Sequence, residues 1–481
     1  MMNSAADLGR APRKKSQGYI SSSNLVVLAY ATAFFPRVLM MFKFPSAINF
    51  LHFVAVPFAC GFVLLKARIR DRQQLATSQA LLFSLLLFLT IDFASALLNG
   101  AGVINVILDF LLLAEPFMLV LAIISLPLSP EKFTRFRKWI LGFAFFNLGF
   151  ALVQKFLLRW DTCGCSPGGW GDGDAIKGVF INQGSGHVIS ASVCATIGIY
   201  FFIGAKDRPL WQRIAVLLAG LSNILWSQAN QVVVVMAGGF VLLSLFNLKD
   251  IVKALAYLIG VVIFGIIFWW AIYNIEALIT FQTWIRPDMY GPDGEATRLK
   301  FSGIRITIAH FHSPLNWWLG LGPGHSIDRL GGWMLRDFAD LLNPLGATRS
   351  PVGDQVWQFM AASWLGAGSS FFAPFFGWAG IWGDLGFLGL ASYLYICFIT
   401  WTRICPDDLT RYLMLTVAIH GLIFTQMEEP GFMLFVASLI GLRWQEAKAA
   451  KAAKAMAQSA AIAEGFYPEF DADRSNPRSR I

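Results

Sequence analysis

Charge is what this sequence lacks most. Of 481 residues, 14% are charged and 56% are hydrophobic, whereas a soluble domain carries about 25% charged residues. A water-soluble chain of this length is therefore excluded as the reading. Short alternating strands are also missing, which excludes a transmembrane β-barrel. A cleavable signal is not evident. The first apolar block follows Arg10, Arg13, Lys14 and Lys15 without a small-residue cleavage site, and is expected to stay as an anchor. Cysteine is scarce, with six in all. Cys60, Cys194 and Cys397 sit in apolar blocks as small packing residues, and Cys405 in a turn. Cys163 and Cys165 form C-G-C in a loop, where a disulfide is strained although an oxidising compartment allows pairing. No further Cys or His stands nearby at ligand spacing, so no metal set is read.

What the chain has is long apolar runs. "ALLFSLLLFLTIDFASALL" and "IVKALAYLIGVVIFGIIFWWAI" each approach the roughly 20 residues that a helix needs to cross hydrocarbon. Lipid offers the backbone no hydrogen-bond partner, so helices are the expected solution. The pattern predicts an all-α polytopic transmembrane bundle of about twelve spans. These fall near 23–42, 47–66, 78–97, 103–126, 138–157, 186–204, 214–228, 230–246, 254–275, 385–401, 410–426 and 430–443. The polar run Ser227–Gln231 reads as a turn between spans or as a break inside a buried hairpin.

The net charge of +9 comes from Lys and Arg at every second connection and at both ends. Such spacing signals topology, not nucleic-acid binding. The division that follows is a cytoplasmic tail at 1–22, spans at 23–275 with an outside loop at 158–184, a large periplasmic loop at 276–384, spans at 385–443 and a cytoplasmic tail at 444–481. The setting is a bacterial-type inner membrane with both termini cytoplasmic. The Ala/Lys-rich tail reads as a surface helix or a solvated segment.

The most informative stretch is "RITIAHFHSPLNWWLGLGPGHSIDRLGGW", from Arg305 to Trp333. Glycines this dense let a backbone approach a ligand closely, and an arginine can grip phosphate oxygens in a bidentate manner. The alternative is a tight turn that folds the loop back on the membrane. Three further stretches accompany it: "KGVFINQGSGHVISA" from Lys177, "GWAGIWGDLGFLGLASYLYI" around Asp384, and the hairpin around Ser227. In order and spacing the four resemble the O-antigen ligase and polymerase superfamily of polysaccharide-assembly membrane proteins. Ligases of that family carry a His-Asn pair before the acidic segment. "GAGSSFFAPFFGWAG" has no His, so the likeness leans toward the polymerases.

The resemblance implies glycosyl transfer from a polyprenyl-diphosphate-linked oligosaccharide to another glycan, with no cofactor and with a chain-length-regulating copolymerase as partner. A diphosphate leaving group needs cations, a role that suits Arg305 and Lys177 without metal, with Arg286, Arg298 and Arg329 as alternatives. The attacking hydroxyl needs a base. His325, Asp354 and Asp384 are the candidates, with His187 close by. Gly322, Gly324, His187 and Arg329 are expected along the substrate path. Trp317, Trp318, Trp333 and Trp357 are interfacial anchors or sugar-stacking platforms.

Ionisable residues inside spans are costly and usually face an interior cavity. Asp92, Asp109, Glu115 and His420 are such residues, and would form an ion path in a transporter. Glu428 and Glu429 are expected on a solvated outside turn or against the sugar chain. Transporters, however, show paired broken helices in two halves, and the polar break at 227–231 has no counterpart in the first half. A ligase, or a transporter or lipid-linked oligosaccharide flippase, remains as the alternative.

Overall fold

The computed structural model describes residues 21–66, 71–165, 173–181, 184–246, 251–279, 281–282, 285–368 and 370–465. The basic residues before 21, Arg68, Arg70, Asn182, Lys249 and the chain beyond 465 lie outside them. Among the described residues the regular structure is entirely helical. The long helices are α1 (Ser22–Phe34), α2 (His52–Lys66), α3 (Arg72–Asn99), α4 (Val103–Ser125), α5 (Pro130–Leu152), α6 (Gly186–Gly204), α7 (Leu210–Trp226), α8 (Asn230–Phe246), α9 (Ile251–Asn274), α10 (Ser302–Ala309), α11 (Pro351–Ala362), α12 (Gly377–Ile399), α13 (Asp408–Ile423) and α14 (Pro430–Gly465). Among the described residues, seven helical stretches are long and apolar enough to cross a membrane, which makes the chain a multi-pass membrane protein. Several other helices, α1, α7 and α8 among them, are apolar but shorter.

Local sequence sets the boundaries. Asp71 caps α3 by accepting from the Gln73 amide at 2.9 Å, and Gly100 ends it in the left-handed region that suits glycine. Asp407 and Thr410 form a capping box at the start of α13. Between α7 and α8 the chain makes a tight turn at 227–229, and Ser227 in it and Asn230 and Gln231 at the start of α8 are buried.

The bundle is built around α4. Its apolar window is 89% buried inside the protein, and that of α6 is 83% buried. At the other extreme, α9 is 11% buried and offers its apolar sides outward. Helix α4 packs on α2, α3 and α14. Because protein and not lipid surrounds it, it can carry Asp109 and Glu115. Glu115 meets His52 of α2 at 2.7 Å, with both side chains buried.

The two ends of α4 differ. At its C-terminal end a polar belt ties helices together. Gln445 donates to the Ile123 carbonyl at 2.7 Å, Gln74 to the Ile124 carbonyl at 2.5 Å, and Lys448 to Gln74 at 2.5 Å. Arg443 joins Asp407 and Glu446 there, each at 2.5 Å. At its N-terminal end lies the segment between α9 and α12.

That segment is clamped to the bundle. Asn105 of α4 donates to the carbonyls of Pro323 and Thr348, both at 2.9 Å, and accepts from the Thr348 amide at 3.0 Å. Asn99 of α3 donates to the Gly320 carbonyl at 3.1 Å. Lys300 reaches the carbonyls of Phe371, Ala373 and Ile423, holding the segment to the end of α13.

Helix α14 is the longest element, 36 residues without a break. It is buried as far as Leu442 and exposed from Lys451 to Ser459. The Ala/Lys-rich stretch, read as a surface helix or a solvated segment, continues the helix that starts at Pro430 as far as Gly465.

Candidate functional site

Helix α12 carries glycine at every third position: Gly377, Gly380, Gly383, Gly386 and Gly389. The turn-rich backbone of residues 318–328 meets this bare face at Gly380, Gly383 and Gly386. A Cβ at Gly380 would stand 2.6 Å from the Asp328 Cβ, and one at Gly383 would stand 2.6 Å from the Ser326 Cβ. At Gly386 the helix is interrupted by a left-handed residue, φ 65°. Gly320, φ 67°, abuts this break, and a Cβ there would fall 2.2 Å from the Asp384 carbonyl carbon. The Leu321 amide donates to the Gly383 carbonyl at 2.8 Å and the Gly322 amide to the Asp384 carbonyl at 3.0 Å. The glycine-rich turn is therefore zipped onto a broken helix.

The amides of this turn point at Asp384. Its carboxylate accepts from Gly324 N–H at 2.5 Å and from His325 N–H at 3.1 Å. Gly322 and Gly324, expected on a substrate path, are both buried, and their amides are committed to Asp384. His325 is locked as well. A carbonyl only accepts, so Nδ1, 3.0 Å from the Leu321 oxygen, carries the proton. Nε2 then accepts from the Thr348 hydroxyl at 2.9 Å, and that hydroxyl oxygen accepts from the Gly102 amide at 2.9 Å. Burial pushes the imidazole below its ordinary range, against the two hydrogen bonds. His325 is a neutral brace with both ring nitrogens engaged.

Beneath the turn is an acidic interior. Single oxygens of Asp109, Asp328 and Asp384 lie within 4.8 Å of one another, all buried. The Asp328 carboxyl is in hydrogen-bonding contact with the other two and accepts from the Gly331 amide at 2.6 Å. Asp92 of α3 interacts electrostatically with Asp328 and Asp109. Glu428, at the turn between α13 and α14, accepts from the Arg329 amide at 2.5 Å. Burial pushes the Asp328 carboxyl above the usual carboxylate range. Burial, then the Asp328 charge, pushes Glu428 well above it. Arg329, expected to meet substrate, is buried and paired with Glu429. Glu428 and Glu429 are 1% and 4% exposed, which corrects the solvated turn. Both face inward because α14 starts inside the bundle.

Lys177 belongs to another group. Its amide and that of Gly178 donate to Gln154 at 2.9 and 2.7 Å, and the Val179 amide donates to Asn147 at 2.9 Å. The side chain is 1% exposed, and burial pushes its ammonium down against the pull of Asp174. His187 lies beside it, 3.3 Å from Asp174. Cys163 and Cys165, on the same connection, are disulfide-bonded.

Arg305 stands apart. It is exposed on α10, and its guanidinium donates to the Arg298 carbonyl at 2.8 Å. Arg298 is exposed too. Neither has an acidic partner among the described residues, whereas Arg349 pairs with Asp354 at 2.8 Å and Arg336 with Asp337 at 2.9 Å. No described contact joins Arg305 to Lys177. Asp354 is exposed, unlike His325 and Asp384. Trp317 and Trp318 present 41% and 55% of their surface. Trp357 is tied to the Gly332 carbonyl at 2.6 Å, and Trp333 stacks on Phe424.

No protein-family model matches the chain, and no curated protein matches it.

Proposed function

We propose that this chain is a bacterial inner-membrane glycosyltransferase that polymerises polysaccharide repeats. It would transfer glycan from a polyprenyl-diphosphate carrier onto a second lipid-linked repeat. The observation that carries this reading is the pair of exposed, acid-free arginines, Arg305 and Arg298, on one face of the segment between α9 and α12. A departing diphosphate needs uncommitted cations, and guanidinium groups suit its oxygens. The exposed rings of Trp317 and Trp318 offer apolar faces for sugar. Asp354, accessible and oriented by Arg349, is the best placed of the three base candidates. In this scheme Asp384 and His325 position the turn, and Lys177 with His187 forms a second polar station.

The topology that goes with it has twelve spans, with both termini cytoplasmic. Arg443 and Lys448 gather at the end of α4 away from the Arg305 segment, and the positive-inside rule puts that end in the cytoplasm. The Arg305 segment then faces the periplasm, where a copolymerase that sets chain length would act.

The test is the glycan profile of a deletion strain. Single repeats on the carrier, restored to polymer by the native gene but not by Arg305→Ala, are expected. Normal polymer stranded on the carrier would make the protein a ligase.

A second reading has its own observation. The buried carboxyl group around Asp109 and Asp384 resembles an ion path, which suits a transporter or flippase of lipid-linked oligosaccharide. In that case the deletion strain would hold its repeats on the cytoplasmic leaflet, protected from a glycosidase added outside.

A further inference from the structure

The acidic interior contains more acceptors than the protein can satisfy. Asp92 is 0% exposed, and both of its carboxyl oxygens lack a hydrogen-bond partner among the described residues. One oxygen of Asp109 and one of Glu428 are also buried and unpartnered. These atoms are additional to the Asp109–Asp328–Asp384 triad, in which three oxygens already crowd within 4.8 Å. The nearby guanidiniums do not balance the set. Arg329 pairs with Glu429, and Arg37 interacts with the same carboxylate. Five carboxyls thus share a buried interior with fewer described cations than carboxyls, Arg329 acting on Glu428 as well as Glu429, and a buried charge left unpaired costs several kcal/mol. Carboxyls in direct contact cannot all stay ionised unless a cation stands between them; otherwise they hold protons.

We propose that the Asp109, Asp328 and Asp384 carboxyls hold one hard divalent cation, with the Asp92 and Glu428 carboxyls completing its acidic surroundings and with calcium favoured over magnesium. The donors are all oxygen, which selects hard ions over zinc or copper. Calcium accepts six to eight oxygens in irregular geometry, whereas magnesium demands a near-ideal octahedron and keeps several waters. An enclosure made entirely of protein carboxyls, drawn from α3, α4, the glycine turn, α12 and the α13–α14 turn, fits the former. The ion would fasten the turn to the bundle. This inference does not rest on the glycosyl-transfer reading and survives its failure.

The experiment uses the full-length protein purified in detergent without chelator. Elemental analysis should find about one calcium per chain. Prolonged EGTA treatment should lower the unfolding midpoint by several degrees, and added calcium should restore it at concentrations at which magnesium does not. The isosteric variants Asp92→Asn and Asp109→Asn should purify with less than a tenth of the calcium. A native protein that carries no stoichiometric divalent ion and whose midpoint ignores both chelator and calcium would overturn the proposal, whether or not the variants fold. A midpoint that instead rises on acidification alone would mean that protons fill the cluster, and would overturn it equally. Magnesium at unit stoichiometry, with calcium unable to replace it, would overturn the choice of ion.

Discussion

Asp384 fills the nest made by the Gly324 and His325 amides with its own carboxylate, 2.5 Å from the first. A glycine-rich turn of this kind can cradle an external anion, and here an internal one already occupies it. The turn is thereby a joint between the loop and α12.

Removing that anion should loosen the joint. Asp384→Ala leaves the buried Gly324 amide without an acceptor, while the His325 amide keeps the Gly322 carbonyl at 3.1 Å, and should cost roughly 1 to 3 kcal/mol for the one unsatisfied group. Asp384→Asn keeps one acceptor oxygen and should lose about half as much. Thermal unfolding in detergent reads both, and an Ala variant as stable as the native protein would show that the contact carries no weight.

The glycine face of α12 predicts a sharp positional contrast. Gly380→Ala puts a methyl against Asp328 and should expose the segment between α9 and α12 to limited proteolysis. Gly61→Ala, on a helix with nothing within 4 Å of the new methyl, should be neutral or stabilising by up to about 1 kcal/mol. Equal protease resistance in the two variants would refute the close packing.

Arg305→Ala should abolish polymer formation, by at least about tenfold for one lost charge-assisted bidentate contact, while insertion and protein level stay unchanged because the side chain is exposed. Arg298→Ala should act in the same direction. Long polysaccharide made by a well-expressed Arg305→Ala strain removes the diphosphate assignment. In the same assay Asp354→Asn should impair activity without lowering the unfolding midpoint.

His325 predicts a pH signature of definite sign. Its pKa is lowered on folding, so an unfolded chain takes up a proton near pH 6.5 that the folded chain refuses. The native protein is thus favoured above that pH and loses stability as pH falls below it. His325→Gln should flatten this decline. The difference between the native and His325→Gln curves isolates the histidine.

Much of the frame was legible in the sequence. The apolar runs located the helices, and Asp92 and Asp109 stood out as residues that lipid would not accept. The glycine turn and the acidic segment around Asp384 were both singled out, but not as partners. Their union depends on backbone approach between residues some sixty positions apart, and the period-three glycines of α12 were the available signal. The convergence of Asp92, Asp109, Asp328, Asp384 and Glu428 had no local signature, since each comes from a different element. The polarity of Glu428 and Glu429 pointed toward water, and only the inward start of α14 explains their burial. Lys177 and Arg305 were read as a pair by chemistry. The structure gives them separate partners, because Gln154 and Asn147 hold the Lys177 turn against α5.

Helix α14 begins one residue after Glu429 and runs unbroken for 36 residues, about 54 Å at 1.5 Å per residue. The hydrocarbon layer is only about 30 Å thick. One continuous helix therefore starts beside the acidic chamber and is longer than a single hydrocarbon layer is thick. The same helix thereby links the turn that carries Glu428 to the exposed lysines Lys451 and Lys454.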